Sequence, residues 1–423
     1  MKRTSGSLRL LCAVAASILA LSARAQESPP PGSTVDSLLA YAREHNPAYA
    51  ALRLDADAAA ERVTSAAALP DPKFRINLQD ITRSGEQSPS LSPGNVGSTR
   101  YLLTQDLPWF GKRELKRQAA EFDAESARGQ AGESWAELAA RIKSAHARLY
   151  YVHHNERTMR EMLDLMSRLE KIARVRYAGG LSAQQDVIRA QVEQTGMKAE
   201  LVALENERRE LEARLNALLA RPAGAPLQAP HGLRPVPATL DHAALEARVR
   251  AGNPQVFSEA ARLRSAEKNR ELAYRNRYPD FTVGVSPVQR QDAVREWDLM
   301  VEFNLPLQQA SRRAEEREAE AMVRAARARA EAASNQALGE LAEQLAGVDA
   351  ARRTETLVAG SLLPQAELAF RAALAGYENG QIDFATLLDA QRQILQARLG
   401  RLKAQVEARV RLAEIERLVG SDL

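Results

Sequence analysis

The stretch Lys112–Tyr177, KRELKRQAAEFDAESARGQAGESWAELAARIKSAHARLYYVHHNERTMREMLDLMSRLEKIARVRY, decides the fold of this chain. It contains no proline, and its apolar residues recur in steps of three, four and seven: Trp135, Leu138, Ile142, Ala145, Leu149, Val152, Met159, Met162, Met166, Leu169 and Ala173. This spacing predicts a helix with one apolar seam that packs against other helices in a coiled coil. At 1.5 Å per residue the helix would be ~100 Å long, so its partners must be of similar length.

The segments around this helix predict a regular order of helices and strands. Two shorter helices come first and meet at Asn46-Pro47. Apolar and polar residues then alternate over residues 74–78 and 101–107, on either side of a Ser/Pro/Gly-rich loop at 84–98, which predicts a two-stranded hairpin. After the long helix, Gly179-Gly180 predicts a tight turn, because glycine accepts the positive φ that ends a helix. Ser182 is expected to cap the next helix, which runs to about Ala220.

The same landmarks return in the second half of the chain. Asn253-Pro254 matches Asn46-Pro47 at an offset of 207, and the Tyr-x-x-Gly turn at 377–380 matches that at 177–180 at an offset of 200. The loop of the second hairpin, 287–296, is shorter, and Gly360 and Pro364 predict a break in the second long helix. Landmarks that repeat in one order indicate a tandem duplication.

The duplication predicts the domain boundaries. Residues 1–25 form a signal peptide, 26–220 the first repeat, 221–239 a proline-rich linker and 240–423 the second repeat. The first repeat holds a hairpin at 73–107 and a long helical pair at 112–220. The second holds a hairpin at 280–305 and a long helical pair at 311–419.

The N-terminus predicts export. A basic start, the apolar run Leu10–Leu21 and the small-x-small site Ala23-Arg24-Ala25 are typical of a cleaved secretory signal. The signal holds four basic residues and no acid, so cleavage takes the net charge from +4 to zero. Without a basic stripe, the mature chain is not expected to bind nucleic acid. Cys12, the one cysteine, is lost with the signal, which excludes disulfides and thiolate metal sites.

The hairpins allow two interpretations. In lipid, four strands cannot close a barrel by themselves, because the smallest closed membrane barrels have about eight. Membrane strands in this chain would therefore require several copies around one barrel, with Phe74, Ile76, Leu78, Phe281, Val283 and Val285 toward lipid. Trp109 and Phe110 would then lie in an aromatic belt, with Lys112 and Arg113 at headgroup depth. The alternative is an ordinary soluble hairpin followed by a basic helix start.

Together these features resemble the TolC-type outer-membrane efflux proteins. The resemblance rests on the signal peptide, the duplicated Asn-Pro landmarks and hairpins, the paired Tyr-x-x-Gly turns and the run Leu-Pro-Trp-Phe-Gly-Lys-Arg at 107–113. It covers nearly the whole mature chain, and the 107–113 run is most similar to the branch that exports heavy-metal cations. No single motif is highly specific; their order and duplication are.

The resemblance implies a mainly α fold with a small β part, tandem-duplicated. The long helices would form an α-helical coiled-coil barrel in the periplasm, and three copies would share a twelve-stranded transmembrane β-barrel in the outer membrane. The homotrimer would meet outer-membrane lipid, a periplasmic adaptor and an inner-membrane pump that is proton-driven. It would be a passive exit duct without a cofactor or a resident metal.

The resemblance also places candidate residues at the periplasmic tips. Acidic residues just past the tips narrow the tunnel entrance of such channels and attract cations. Here Asp186 follows the first tip, and Asp383 and Asp389 follow the second, while Thr386 stands where many members have a further aspartate. The tip turns themselves contain Tyr177, Gly180, Tyr377 and Gly380. The alternative for each aspartate is a first-turn residue that the helix dipole favours, and for each tyrosine it is packing at a helix end.

The sequence offers little support for an enzyme. It contains no phosphate-binding loop, no His-Glu-x-x-His and no nucleophile elbow. His146 and His153 lie seven residues apart on one helix face, but a third ligand is missing at helical spacing. The competing function is a soluble periplasmic coiled-coil protein, either a structural spacer or an adaptor. Adaptors flank their helical hairpins with β-rich domains, for which this chain has too few strands.

Overall fold

The computed structural model describes residues 31–82 and 89–423, so the predicted signal peptide lies outside the described residues. In the first repeat the helices and strands are α1 (Val35–His45), α2 (Pro47–Ala67), β1 (Lys73–Gln79), β2 (Ser98–Leu107), α3 (Lys112–Ala178) and α4 (Gln184–Leu218). In the second they are α5 (His242–Gly252), α6 (Pro254–Arg275), β3 (Phe281–Arg290), β4 (Ala293–Phe303), α7 (Gln309–Leu357), α8 (Leu363–Glu378) and α9 (Phe384–Val419). Both repeats therefore follow the predicted order.

The chain forms two compact units, and each contains segments of both repeats. Of the residues that the structure describes, the first unit comprises residues 31–46, Arg141–Val236 and Asp349–Val410. The second comprises Pro47–Ala140, Pro237–Val348 and Arg411–Leu423. The units thus divide the chain differently from the repeats, because the long helices α3, α7 and α9 each pass from one unit into the other.

Matched asparagines at the repeat landmarks join distant helices within each unit. In the first unit, Asn46 Nδ2 donates to the carbonyl of Leu218, 2.9 Å away. In the second, Asn253 Nδ2 donates to the carbonyl of Leu418, also at 2.9 Å. Each asparagine thereby satisfies a carbonyl at the end of a long helix, which would otherwise lack an intrahelical partner. The Asn-Pro repeat of the sequence therefore corresponds to a hydrogen bond that is repeated in the structure.

The four strands form one antiparallel sheet in the order β1-β2-β3-β4. One row of the register runs Phe74–Leu103–Val285–Leu299, and all four of these apolar side chains are exposed. On the other face Arg100 pairs with Asp298, with 3.0 Å between Nη2 and Oδ2. The sheet therefore carries an uncovered apolar face opposite a face with charged pairs.

Three predicted details are wrong. The predicted loop of the second hairpin at 287–296 is in fact mostly strand, because β3 and β4 continue to a tight turn at Gln291-Asp292. The helical chain does not break at Gly360 and Pro364; one π-helical turn, Val358–Leu362, joins α7 to α8. The wider π-helical turn accommodates Pro364, because proline has no N–H with which to continue the α-helical hydrogen-bond ladder. Finally, Ala183 rather than Ser182 occupies the N-cap of α4.

Candidate functional site

The two tight turns between long helices have nearly the same backbone geometry. Gly180 and Gly380 adopt φ values of +73° and +72°, in the left-handed region that glycine enters without strain. In the first turn the amide of Leu181 donates to the carbonyl of Arg176 at 2.8 Å, and in the second Gln381 donates to Gly376 at the same distance. These bonds close each helix in the manner of a Schellman cap. Both turns belong to the first compact unit.

The tyrosines of the two turns have different surroundings. Tyr377 is only 2% exposed, and its ring centroid lies 5.2 Å from that of Phe384. Tyr177, at the matching position of the first turn, is 46% exposed. Tyr377 is thus part of a packed core beneath its turn, while Tyr177 is about half-exposed.

Arg176 connects the first turn to the second. Its Nη1 donates to the carbonyl of Glu378 at 2.7 Å, and its guanidinium carbon lies 5.1 Å from the centroid of the Tyr377 ring. A cation at this distance from an aromatic face is attracted by the ring quadrupole. A Cβ on Gly380 would lie 3.2 Å from Arg176 Nη2, so a larger residue there would strain the positive φ and also displace the guanidinium by a few tenths of an ångström. Arg176 is not among the residues that the sequence predicts at the turns.

The three aspartates after the turns have three different environments. Asp383 caps α9, since its Oδ1 accepts from the amide of Thr386 at 2.9 Å and from the Thr386 hydroxyl at 2.6 Å. The Thr386 hydroxyl and amide hold the pKa of Asp383 below its usual range. Burial raises the pKa of Asp186, opposed by Arg189 and assisted by the nearby charge of Asp383.

Asp389 has no hydrogen bond to the backbone of its helix among the contacts that the described residues make, unlike Asp383. Its side chain is well exposed, and its Oδ1 lies 4.0 Å from Nη1 of Arg392. Arg392 is held more closely by Glu193 of α4, with 2.6 Å between Nη2 and Oε2. The exposed side chains of Ile188 and Val192 lie beside these charges and line a groove between α4 and α9.

The other predicted residues lie where β2 passes into α3, in the second unit. Trp109 stacks on Tyr278 with 5.4 Å between ring centroids, and Phe110 is 72% exposed. Lys112 is 5% exposed, and its Nζ donates to Asp280 Oδ1 at 2.8 Å. Arg113 is exposed. Of the two basic residues predicted at headgroup depth, therefore, Lys112 is engaged inside the protein and Arg113 remains at the surface.

Within the described ranges 31–82 and 89–423, no three His, Cys, Asp or Glu side chains gather at a separation that could hold a metal ion. No helix in that part of the chain is long and apolar enough to cross a membrane. The charged groups that the described residues present at the two turns are thus carboxylates and guanidinium groups.

Comparison with known proteins identifies the family. The family model described as outer membrane efflux protein matches residues 38–221 and again residues 246–421. The chain belongs to the outer membrane efflux protein family. The two matches also agree with the tandem duplication predicted from the sequence.

Individual relatives of this outer membrane efflux protein are distant but nearly full-length. The cobalt-zinc-cadmium resistance protein CzcC of Cupriavidus metallidurans is 23% identical over 403 residues, which is 92% of this chain and 90% of that protein. Among solved structures, the outer membrane protein VceC of Vibrio cholerae matches with a TM-score of 0.77 at 19% identity, covering 92% of this chain and 96% of VceC. CusC matches with a TM-score of 0.77 at 15% identity, covering 92% of each chain.

These findings confirm several predictions. The fold is the mainly helical, tandem-repeated fold of TolC-type channels, and the protein is an outer-membrane efflux channel component rather than an enzyme. Family membership decides against the alternative of a soluble periplasmic coiled-coil protein. The roles of the individual turn and interface residues stay predictions.

Proposed function

We propose that three copies of this chain form the exit duct of a tripartite efflux system. A proton-driven inner-membrane pump and a periplasmic adaptor would deliver the substrate, and the duct would conduct it passively across the outer membrane. The observation that carries this proposal is the exposed apolar row Phe74–Leu103–Val285–Leu299, which crosses all four strands. A soluble protein would have to cover such a face with another element, whereas lipid solvates it.

The sheet itself favours sharing between copies. β1 and β4 lie at its two edges, and each edge presents unpaired backbone groups along one side. Such groups are very costly in lipid unless another strand pairs with them. Pairing β4 of one copy with β1 of the next would satisfy both edges, and three copies would contribute twelve strands to one closed barrel.

The turns would then form the periplasmic entrance. Asp186, Asp383 and Asp389 would each occur three times around the threefold axis. Closely spaced carboxylates repel one another and favour a bound or passing cation, which lowers that repulsion. Asp389 is the strongest candidate of the three because its carboxylate is exposed, it does not cap the helix as Asp383 does, and Arg392, the cation 4.0 Å away, is held more closely by Glu193.

Heavy-metal cations are the proposed cargo. This rests on the similarity to CzcC, whose name assigns it to cobalt, zinc and cadmium resistance, and which matches over 92% of the chain. The acidic turns are compatible with a cationic cargo. We also propose that the repeats are bounded as the sequence predicts, at 26–220 and 240–423, with the linker at 221–239 between them.

Location, mass and conductance test the proposal. The cell envelope is fractionated, the protein is extracted in mild detergent, and its mass is determined by light scattering. A trimer from the outer membrane that conducts in a planar bilayer is expected. Asp389→Asn should lower the cation-to-anion permeability ratio. Asp164→Asn should not, because Asp164 is an exposed residue of α3 that lies away from the turns. A monomer or dimer released with the soluble periplasm would refute the duct.

Cargo is tested separately in cells. A strain that lacks its own outer-membrane component but retains a heavy-metal pump and adaptor is complemented with this chain. Restored growth on zinc or cobalt, without restored growth on organic toxicants, is expected. Complementation of organic-toxicant efflux alone would contradict the cation assignment and leave the duct itself standing.

A further inference from the structure

A groove lies where β2 passes into α3, and its lining changes from apolar to charged along its length. The apolar part is formed by Leu69, Leu107, Pro108, Trp109, Phe110 and Phe281. The charged end is formed by Arg113, Glu114 and Arg117. All of these residues belong to the second compact unit. The efflux function described above does not use this groove.

The apolar part continues into the exposed face of the sheet. The ring centroids of Phe110 and Phe281 lie 6.2 Å apart, and those of Phe281 and Phe303 lie 6.3 Å apart. Phe110, Phe303 and Leu305 are exposed although they are large and apolar. Isolated exposed apolar residues are ordinary, but a continuous aromatic strip beside a larger apolar face indicates a surface that something apolar covers.

The charged end presents one arginine with donors to spare. Arg113 Nε donates to the carbonyl of Ala67 at 2.9 Å, and Nη2 donates to the same oxygen at 2.5 Å. Among the described residues, no atom accepts from Arg113 Nη1. The neighbouring Arg117 is different, because Glu114 and Glu121 both pair with it. The contact with Ala67 therefore fixes the guanidinium of Arg113 at the groove while leaving donors for an anion.

We propose that this groove binds one glycerophospholipid of the leaflet next to the helices, with an acyl chain along Leu69, Phe110 and Phe281 and its phosphodiester on Arg113. The proposal rests on the proposed function, because the groove meets lipid only if the sheet spans the outer membrane. Free phosphate is a poor occupant, since a single ionic contact with an exposed guanidinium contributes little by itself. A lipid adds burial of the acyl chain to that single ionic contact, at about 0.8 kcal/mol per buried CH₂.

The second repeat provides an internal contrast. At the offset of 198 that relates Leu107-Pro108 to Leu305-Pro306, Gln308 stands in place of Phe110 and Ser311 in place of Arg113. Neither the aromatic ring nor the guanidinium has a counterpart there. The proposal therefore predicts one lipid per chain rather than two.

The test measures phospholipid that the purified trimer retains. The protein is extracted from the outer membrane and washed with detergent. Bound phospholipid is counted per chain by native mass spectrometry and by phosphorus analysis of the extracted lipid. Wild type should retain about one per chain. Arg113→Gln and Phe110→Ala should each lower the affinity for the lipid by about tenfold, the effect of losing one charge-assisted hydrogen bond or one ring contact, and so leave clearly less than one lipid per chain after the same wash. Arg313→Gln, an exposed arginine at the start of α7, should retain the wild-type amount.

Three other results would refute the proposal. No phospholipid on the wild type, equal loss in Arg113→Gln and Arg313→Gln, or full retention in Phe110→Ala would each show that the groove is not a lipid site. Trimer mass and conductance of the same samples separate this from the proposed function. Conducting trimers without lipid would refute the lipid site alone, whereas failure to assemble in the outer membrane would refute the duct.

Discussion

Replacing Arg176 with glutamine should loosen the second turn and leave the long helices intact. Arg176 lies at the end of α3, whereas its partners, the carbonyl of Glu378 and the ring of Tyr377, lie at the end of α8. Glutamine keeps a polar side chain at the surface, but it can make neither contact because it is shorter than arginine and carries no charge. Besides these two contacts, Arg176 forms one long hydrogen bond, from Nη2 to the carbonyl of Leu181 at 3.5 Å, so the main loss falls on the connection between the two turns.

The size of the effect follows from these two contacts. A hydrogen bond from a charged donor contributes about 1.5–3 kcal/mol, and solvent exposure here reduces that to about 1 kcal/mol. A cation–π contact at a surface adds about 0.5–1 kcal/mol. The loss of about 1–2 kcal/mol corresponds to a rise of about 5- to 30-fold in the equilibrium for local opening. Because turns open locally, the melting temperature should hardly change.

Hydrogen exchange with mass spectrometry measures this opening directly. Peptides that cover residues 373–386 should exchange about 5- to 30-fold faster in Arg176→Gln than in the wild type. Arg371→Gln is the matched control, because Arg371 is an exposed arginine of α8 whose paired carboxylate, Glu367, lies on the same helix. Arg176→Lys should be intermediate, since it keeps the charge but not the planar guanidinium. Equal exchange in Arg176→Gln and Arg371→Gln would refute the reasoning.

Three further predictions concern other parts of the chain. Gly380→Ala should speed exchange at its turn more than Gly180→Ala does, because both strain a positive φ but only the first pushes a Cβ against a guanidinium. Burial lowers the pKa of His146 to about 4, so below pH 6.5 the unfolded state binds the extra proton. Stability should therefore fall by up to about 3 kcal/mol between pH 6.5 and 4, and melting curves of His146→Gln should show a smaller fall. Leu299→Arg would place a charge on the exposed apolar face, where its insertion into lipid costs about 2–4 kcal/mol, and should therefore reduce the amount of trimer recovered from the outer membrane. Met300→Arg, on the opposite face, should not reduce that amount.

The features that the sequence predicts correctly are those with local signals. The heptad positions of α3 are buried as expected, except for Trp135, which is only half-buried and lies 5.2 Å from the ring of Tyr49. The start of α3 at Lys112 also agrees, because Pro108 and Gly111 precede it and no later residue interrupts it. Short-range patterns of this kind depend only on neighbours along the chain.

The features that the sequence misses depend on distant partners. The contact of Arg176 with the second turn joins positions about 200 residues apart, and an arginine at the end of a helix has an ordinary local explanation in the helix dipole. Lys112 is similar: its basic character indicates headgroup depth, but its partner Asp280 lies in the other repeat. The π-helical turn is missed for another reason, because glycine and proline together are a normal signal for a helix break.

Comparison of the two repeats separates positions that build the fold from positions that contact something else. Asn46 and Asn253 cap long helices in the same way, because both repeats need that junction. At Phe110 the two repeats differ, because Gln308 stands at the matched position and the second passage runs from Phe303 to Gln309 without a positive-φ glycine such as Gly111. The Phe110 ring contacts Trp109 and Phe281, yet the residue remains 72% exposed. Those contacts leave most of the side chain for something outside the protein, and the neighbouring sheet face and Arg113 together indicate a lipid.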